Sequence, residues 1–190
     1  MPSYRLAGVI AAVVVLPLSI VVLCGCGSVP RPPTGVAGAP SVAAGNVHLT
    51  DYAVNTDGPA STVILTGAIG DYGTGETVTA SGSPDPQHTG QLRLTLQHGS
   101  FRLDTATLNS RLVAALRHFP ADVHTCSGSV TVGGTVPVVA GSGTGTYNHL
   151  SGAFDLTVTV DEVDASPCDG TGAFIEQTII MTGPGTVSLS

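Results

Sequence analysis

Residues 141–160 read GSGTGTYNHLSGAFDLTVTV. The first half sets Gly141, Gly143 and Gly145 at alternate positions, and the reading of those glycines decides the fold. A dinucleotide fingerprint needs G-x-G-x-x-G between a strand and the start of a helix. Here the third residue beyond Gly145 is Asn148, and no Lys follows as it would in a P-loop. From Ala153 the pattern is that of a strand. Phe154, Leu156, Val158 and Val160 share one face, and Asp155, Thr157, Thr159 and Asp161 share the other. No helix N-terminus stands ready for a phosphate. The glycines are therefore expected to be scaffold, marking bulges, close backbone approach or sharp bends at barrel corners.

The same alternation recurs outward from this stretch. In QLRLTLQ, Leu92, Leu94 and Leu96 point one way while Arg93, Thr95 and Gln97 point the other. His98-Gly99 then turns the chain, and Phe101 and Leu103 continue the apolar face, which predicts a hairpin whose register burial fixes. Further strands are expected at 47–54, 61–67, 74–80, 127–132, 135–140, 173–182 and 186–190. Asp71-Tyr72, between Gly70 and Gly73, reads as a turn. One segment differs: TLNSRLVAALRHF puts Leu108, Leu112, Leu116 and Phe119 at helical spacing. Thr105 or Thr107 is placed to cap that helix and Pro120 to stop it. A lone amphipathic helix among strands is expected to cover a barrel end or an open seam. The fold class that follows is all-β, an antiparallel barrel of about eight strands with one short helix. A closed barrel leaves no unpaired edge; a sandwich remains the alternative.

Composition narrows the function. From Asn46 onward four Arg stand against thirteen Asp and Glu, a balance of −9, and the chain has no Lys. That excludes nucleic acid as a partner and excludes a cationic membrane-binding surface. The N-terminus supplies a different attachment. Arg5 precedes an apolar run from Leu6 to Leu23, and Leu23-Cys24-Gly25-Cys26 resembles the bacterial lipobox, with Cys26 as the lipidated residue. Cys24 departs from the small residue usual at its position, and an uncleaved anchor or plain secretion are the competing readings. Residues 1–25 are thus read as a lipoprotein signal peptide. Residues 26–45 are read as the lipidated Cys and a Pro/Gly-rich linker, and 46–190 as the β-barrel domain. Two acyl chains would anchor the protein stably on the extracytoplasmic side of the cell membrane. The linker would reach about 60 Å at about 3.1 Å per residue. Export permits disulfides, and the remaining pair, Cys126 and Cys168, is expected to bridge.

Several segments also carry a resemblance. GTGTYNHLSGAFDLTVTV resembles the G-T-G-x-Y-x-x-x-x-G segment and following strand of the allene oxide cyclase and dirigent-like barrel superfamily. LTGAIGDYGTGETV (65–78) and TGPGTVSL (182–189) resemble the glycine-bounded first and last strands of such proteins. The resemblance implies an eight-stranded antiparallel barrel with a central cavity, which in the plant enzymes holds a fatty-acid epoxide. The catalytic residues of those enzymes do not map onto this chain one by one. The fold is carried over and the activity is not.

Residue patterns for chemistry are sparse. The chain has no G-x-S-x-G elbow and no H-E-x-x-H. His48, His88, His98, His118, His124 and His149 lack metal-ligand spacing and read as turn or surface residues. Asp161, Glu162, Asp164 and Asp169 gather near Cys168 without the EF-hand pattern and read as a solvated acidic loop. Tyr52 or Tyr147 could donate a hydroxyl into a barrel cavity. No catalytic residue, metal or cofactor is expected. The leading expectation is a lipid-anchored, non-enzymatic envelope module that binds a small apolar ligand or contacts another envelope component. The alternatives are an isomerase or cyclase acting on a hydrophobic substrate, which needs a buried polar group of shifted pKa, and a structural envelope spacer.

Overall fold

Side chains alternate across a strand, so a run of alternating apolar residues can bury only one face. Eight such strands form here: β1 (Gly45–Val54), β2 (Ala60–Gly67), β3 (Asp71–Val78), β4 (Gln91–Leu96), β5 (Gly99–Leu103), β6 (Ser127–Pro137), β7 (Leu150–Asp164) and β8 (Phe174–Leu189). The computed structural model describes residues 44–54, 60–85, 90–119, 122–169 and 171–189. All eight strands pair antiparallel in one sheet, in the order β5-β4-β3-β2-β1-β8-β7-β6, and the sheet curls strongly around its inward face. Leu49, Val63, Leu65, Leu94, Phe101, Leu103, Phe154, Leu156 and Val160 fill that interior, each no more than 1% exposed. They belong to one continuous cluster.

The order leaves β5 and β6 as the two terminal strands, and an open edge is a liability. Their ends meet directly. Asp104 N donates to Pro137 O (2.9 Å), Val139 N donates to Arg102 O (2.8 Å), and Leu103 bridges Val138. Beyond that point the glycine-rich segment runs along β5. Thr144 N donates to Ser100 O (2.8 Å) and Thr146 N to His98 O (3.0 Å). The intervening N–H groups of Ser100 and Arg102 donate to the hydroxyls of Thr144 and Ser142, each at 3.0 Å. Hydroxyl oxygens thus take the place of ladder carbonyls. The glycines between them allow the approach: a Cβ at Gly143 would lie 1.9 Å from Tyr147 O, and one at Gly145 (φ +58°) 2.3 Å from His98 O. These glycines are scaffold.

A helix, α1 (Ala106–Leu116), follows β5 and packs on β6. Leu108 is buried, Leu112 and Leu116 pack against the core, and Arg111 Nη1 donates to Gly133 O at 2.6 Å. The apolar stripe covers core beside the terminal strand β6, one of the two places expected for it being an open seam. Its cap differs from expectation, because the Thr105 side chain caps no backbone N–H of the first turn and accepts only from Asn109 Nδ2 (3.2 Å). The Thr105 hydroxyl is buried and donates instead to Gly90 O (3.0 Å), while Asp104 Oδ1 accepts from Ala106 N (3.3 Å). Pro120 lies outside the described residues.

Other boundaries move for identifiable reasons. Asp71-Tyr72 is no turn; it opens β3, because Asp71 is buried and Leu65 pairs with it across the sheet. The segment 127–132 and the first residues of 135–140 are one strand, since Gly133 and Gly134 stay in register with Thr157 and Leu156, but it ends at Pro137 and residues 139–140 lie outside it. The segments 173–182 and 186–190 also join. The β7–β8 ladder passes over Gly183-Pro184, where proline has no N–H to give, without losing register between Thr157↔Thr182 and Phe154↔Gly185. Cys126 and Cys168 form the expected disulfide, Cα to Cα 4.6 Å. Cys126 stands just before β6, where Ser127 pairs with Val163, and its carbonyl accepts from Asp164 N (2.8 Å).

The closing segment makes a direct prediction. Gly143→Ala should cost more than 2 kcal/mol, roughly the scale of an overpacked interior, because the added methyl meets backbone. Gly141→Ala should cost only about 1–2 kcal/mol, since Gly141 (φ +69°) has open space and only conformational strain to bear. Urea unfolding of both variants checks the ranking, and equal costs would refute the closing role of Gly143.

Candidate functional site

Two aspartates stand inside the curled sheet, and their surroundings drive them in opposite directions. Along VHLTDYAV the inward residues of β1 are Val47, Leu49 and Asp51, so a carboxyl takes an apolar position. Asp51 is 7% exposed, and its Oδ1 has no hydrogen-bond partner. Its cross-strand neighbours are Val63 and Met181. Ser61 Oγ and Leu92 Cδ1 crowd the same space over Gly75 as Asp51 Oδ2 does. Burial pushes the carboxyl up to about 6, against the weaker pull of hydrogen bonds from the Ser61 side chain and the Tyr52 backbone.

Asp71 sits at the first residue of β3, equally buried, but surrounded by donors. The Tyr147 hydroxyl donates to its Oδ2. Tyr72 N (2.8 Å) and Gln97 N (3.3 Å) donate to Oδ1, and His98 N donates to Oδ2 at 3.2 Å. His98 Nδ1 lies 3.1 Å from the same oxygen. Burial alone would raise this carboxyl; the donors outweigh it and hold Asp71 below the usual carboxylate range. Tyr147 is pushed upward by its own burial, then by its bond to Asp71 and that group's charge. The Tyr147 ring is 1% exposed and meets Phe101 edge-on at 5.4 Å. The cluster thus ties the start of β3, the β4–β5 turn and the glycine-rich segment together.

The residues singled out from sequence are distributed as follows. Cys126 and Cys168 come together; Cys26 and His88 lie outside the described residues. Tyr147 points inward and Tyr52 does not, being 44% exposed on the outer face. His98, read as a turn residue, is in the turn but engages Asp71. The acidic residues are not one solvated loop: Asp161, Glu162 and Asp164 stand on β7, where Glu162 and Asp164 share a hydrogen bond, and Asp169 lies beyond it. Asp161 is exposed, Asp169 is engaged by the Thr171 N–H (2.9 Å), and Glu162 is raised by burial and by neighbouring Asp164. Among the described residues no group of three or more His, Cys, Asp or Glu is placed to hold a metal ion. Open depressions of about 380 Å³ beside Asp161 and Glu176, and of about 510 Å³ beside Asp155 and Pro184, lie against the strands.

Sequence reading missed Asp51 and Asp71. The first was detectable, because a carboxyl in phase with Val47 and Leu49 breaks the pattern of a half-buried strand. The second was not, since the inward residues that follow it, Gly73 and Gly75, carry no apolar phase to violate. Compared with family models, curated proteins and solved structures, the chain matches none.

The two carboxyls predict opposite pH slopes. The raised pKa of Asp51 means the native state holds a proton that the unfolded state releases near pH 4. Its contribution to stability is therefore lost as pH rises from about 4 to about 6, by up to about 3 kcal/mol. Asp51→Asn should leave stability nearly unchanged at pH 4 and raise it at pH 7.5. A variant-minus-wild-type difference that stays constant with pH would overturn the assignment. For Asp71, held low, stability is present above about pH 4 and lost as pH falls further. Tyr147→Phe should cost about 1–3 kcal/mol at pH 7 and less in acid, checked by denaturant unfolding at both pH values.

Proposed function

We propose that the chain is a lipid-anchored protein of the cell envelope, held on the extracytoplasmic side through Cys26, whose β domain is a non-catalytic binding or spacing module. The observation that carries this reading is the Cys126–Cys168 disulfide, a bond characteristic of exported proteins, in a chain that begins with a lipobox-like sequence. The packing of Phe101, Phe154, Tyr147 and the surrounding leucines supports a module that works through its surface. The curled eight-strand sheet is consistent with the allene oxide cyclase and dirigent-like resemblance, which stays part of the proposal. Among the described residues no helix is long and apolar enough to cross a membrane.

Asp51 favours a second reading, an isomerase or cyclase acting on a hydrophobic substrate. A buried carboxyl of raised pKa with an unpartnered oxygen is the kind of group such chemistry uses. Native mass spectrometry of envelope-purified wild type and Asp51→Asn separates the two: an apolar molecule that the wild type converts and the variant leaves unconverted would support the second reading, and one that both hold unchanged would remove it.

The anchor has its own test. Cys26→Ala should abolish the mass added by acylation and move the protein from the detergent-extractable membrane fraction to soluble or precursor forms. Unchanged membrane partition with no difference in mass would show that the apolar run from Leu6 to Leu23 anchors the chain without lipid.

A further inference from the structure

The outer face of the sheet carries a stripe that neither buried aspartate touches. Ile180 of β8 lies directly opposite Tyr52 of β1, and Ile64 of β2 directly opposite Tyr72 of β3. Tyr52 pairs with Thr62, two residues from Ile64, so the two pairs join along a diagonal. In stripe order, Ile180, Tyr52, Ile64 and Tyr72 are 36, 44, 49 and 62% exposed. Threonines frame them: Thr50 and Thr182, with hydroxyls 3.4 Å apart, and Thr62, Thr66 and Thr74. Thr182 is further fixed by donating to Leu49 O at 3.0 Å. Among the described residues, the outward positions of β1, of β2 and of β8 between Thr178 and Thr186 hold no Asp, Glu or Arg, and the outward Glu76 of β3 is ion-paired with Arg93 of β4. From Asn46 onward the balance is −9, so this field without free charge stands apart from the rest of the surface.

We infer that the stripe is a binding surface for a neutral glycan chain laid diagonally across β8, β1, β2 and β3. Charge matching comes first: a face whose one ion pair, Glu76 with Arg93, is already closed offers no free charge to a cationic or anionic partner, whereas a neutral polyol asks for none. Side-chain chemistry comes second. The slightly positive C–H face of a sugar ring suits the negative face of a tyrosine, and its hydroxyl rim suits flanking threonines. Shape comes third. Tyr52 and Tyr72 are two strands across and two residues along, about 12 Å apart, so they address an extended chain rather than one ring. A globular partner buries about 800 Å² per side, more than a stripe one side chain wide on the outside of a curled sheet presents. A bilayer-binding face draws on Lys or Arg, absent from this field. The inference does not depend on the anchor at Cys26.

The test is affinity electrophoresis of the full chain in neutral detergent, through gels cast with amylose, laminarin or mannan. The expected result is retardation by at least one of them, weakened ten-fold or more by Tyr52→Ala and by Tyr72→Ala. Ile175→Ala, at an exposed position outside the stripe, should leave it unchanged. The chain has no Trp, so tyrosine fluorescence checks the same binding in solution. Retardation by none of the three polymers overturns the inference, as does retardation that survives both substitutions together. Two further results also overturn it by naming another occupant: a concentration-dependent dimer lost in the tyrosine variants, or binding of the stripe to phosphatidylcholine vesicles.

Discussion

The backbone contact between the glycine-rich segment and β5 is the constraint on which the curled sheet depends. A sheet of eight strands with two bare ends would expose a row of unpaired N–H and carbonyl groups on each. Here β5 is met by a segment that is itself no strand. Backbone donors at Thr144 and Thr146 serve its carbonyls, and hydroxyls at Ser142 and Thr144 serve its N–H groups. Only alternation of glycine with serine or threonine can do both, because the same few residues must come close and still carry acceptors. Tyr147 then locks the arrangement by reaching from that segment to Asp71 at the far side of the β4–β5 turn.

That lock explains how one of the three buried aspartates, Asp71, stays charged inside the domain, where Asp51 and Asp85 are buried without it. Asp71 stays ionised because five donors converge on it, so its charge is already solvated by the protein. Asp51 has little such help and holds its proton up to about pH 6. One aspartate tightens the closing end of the sheet; the other weakens the interior at neutral pH. A residue that costs stability while serving no visible packing role is where a function, or a tolerated defect, is concentrated. The Asp51→Asn comparison measures that cost directly.

The sequence carried the architecture because burial acts on side-chain phase. Phe154 to Val160 and Leu92 to Leu103 set strand, face and register without reference to any distant residue. It carried the disulfide because Cys126 and Cys168 flank segments whose ends can meet. It carried less where partners are far apart in the chain. Tyr147 and Asp71 are 76 residues apart, and nothing local to GDYG distinguishes a turn from a strand beginning on a buried acid. Proline-glycine at 184–185 and the glycine pair at 133–134 read as breaks for the same reason. Local propensity opposes a strand there, and pairing on both sides overrides it.

The interior and the surface now divide the possible work. Fully buried Phe101, Phe154 and Tyr147 occupy the space that a ligand-binding barrel would leave open, so an interior ligand must first displace well-packed side chains. The outer face demands no such rearrangement. Its tyrosines are exposed, its threonines are partly fixed by hydrogen bonds, and its one acid, Glu76, is paired with Arg93 where the domain as a whole is acidic. A tethered domain also gains from weak surface contacts, because attachment holds it at high effective concentration near whatever shares its surface. On the proposed reading, low affinity at the stripe is therefore no argument against its use. The anchor would hold the domain at the surface and the stripe would make the contact there, neither needing the interior.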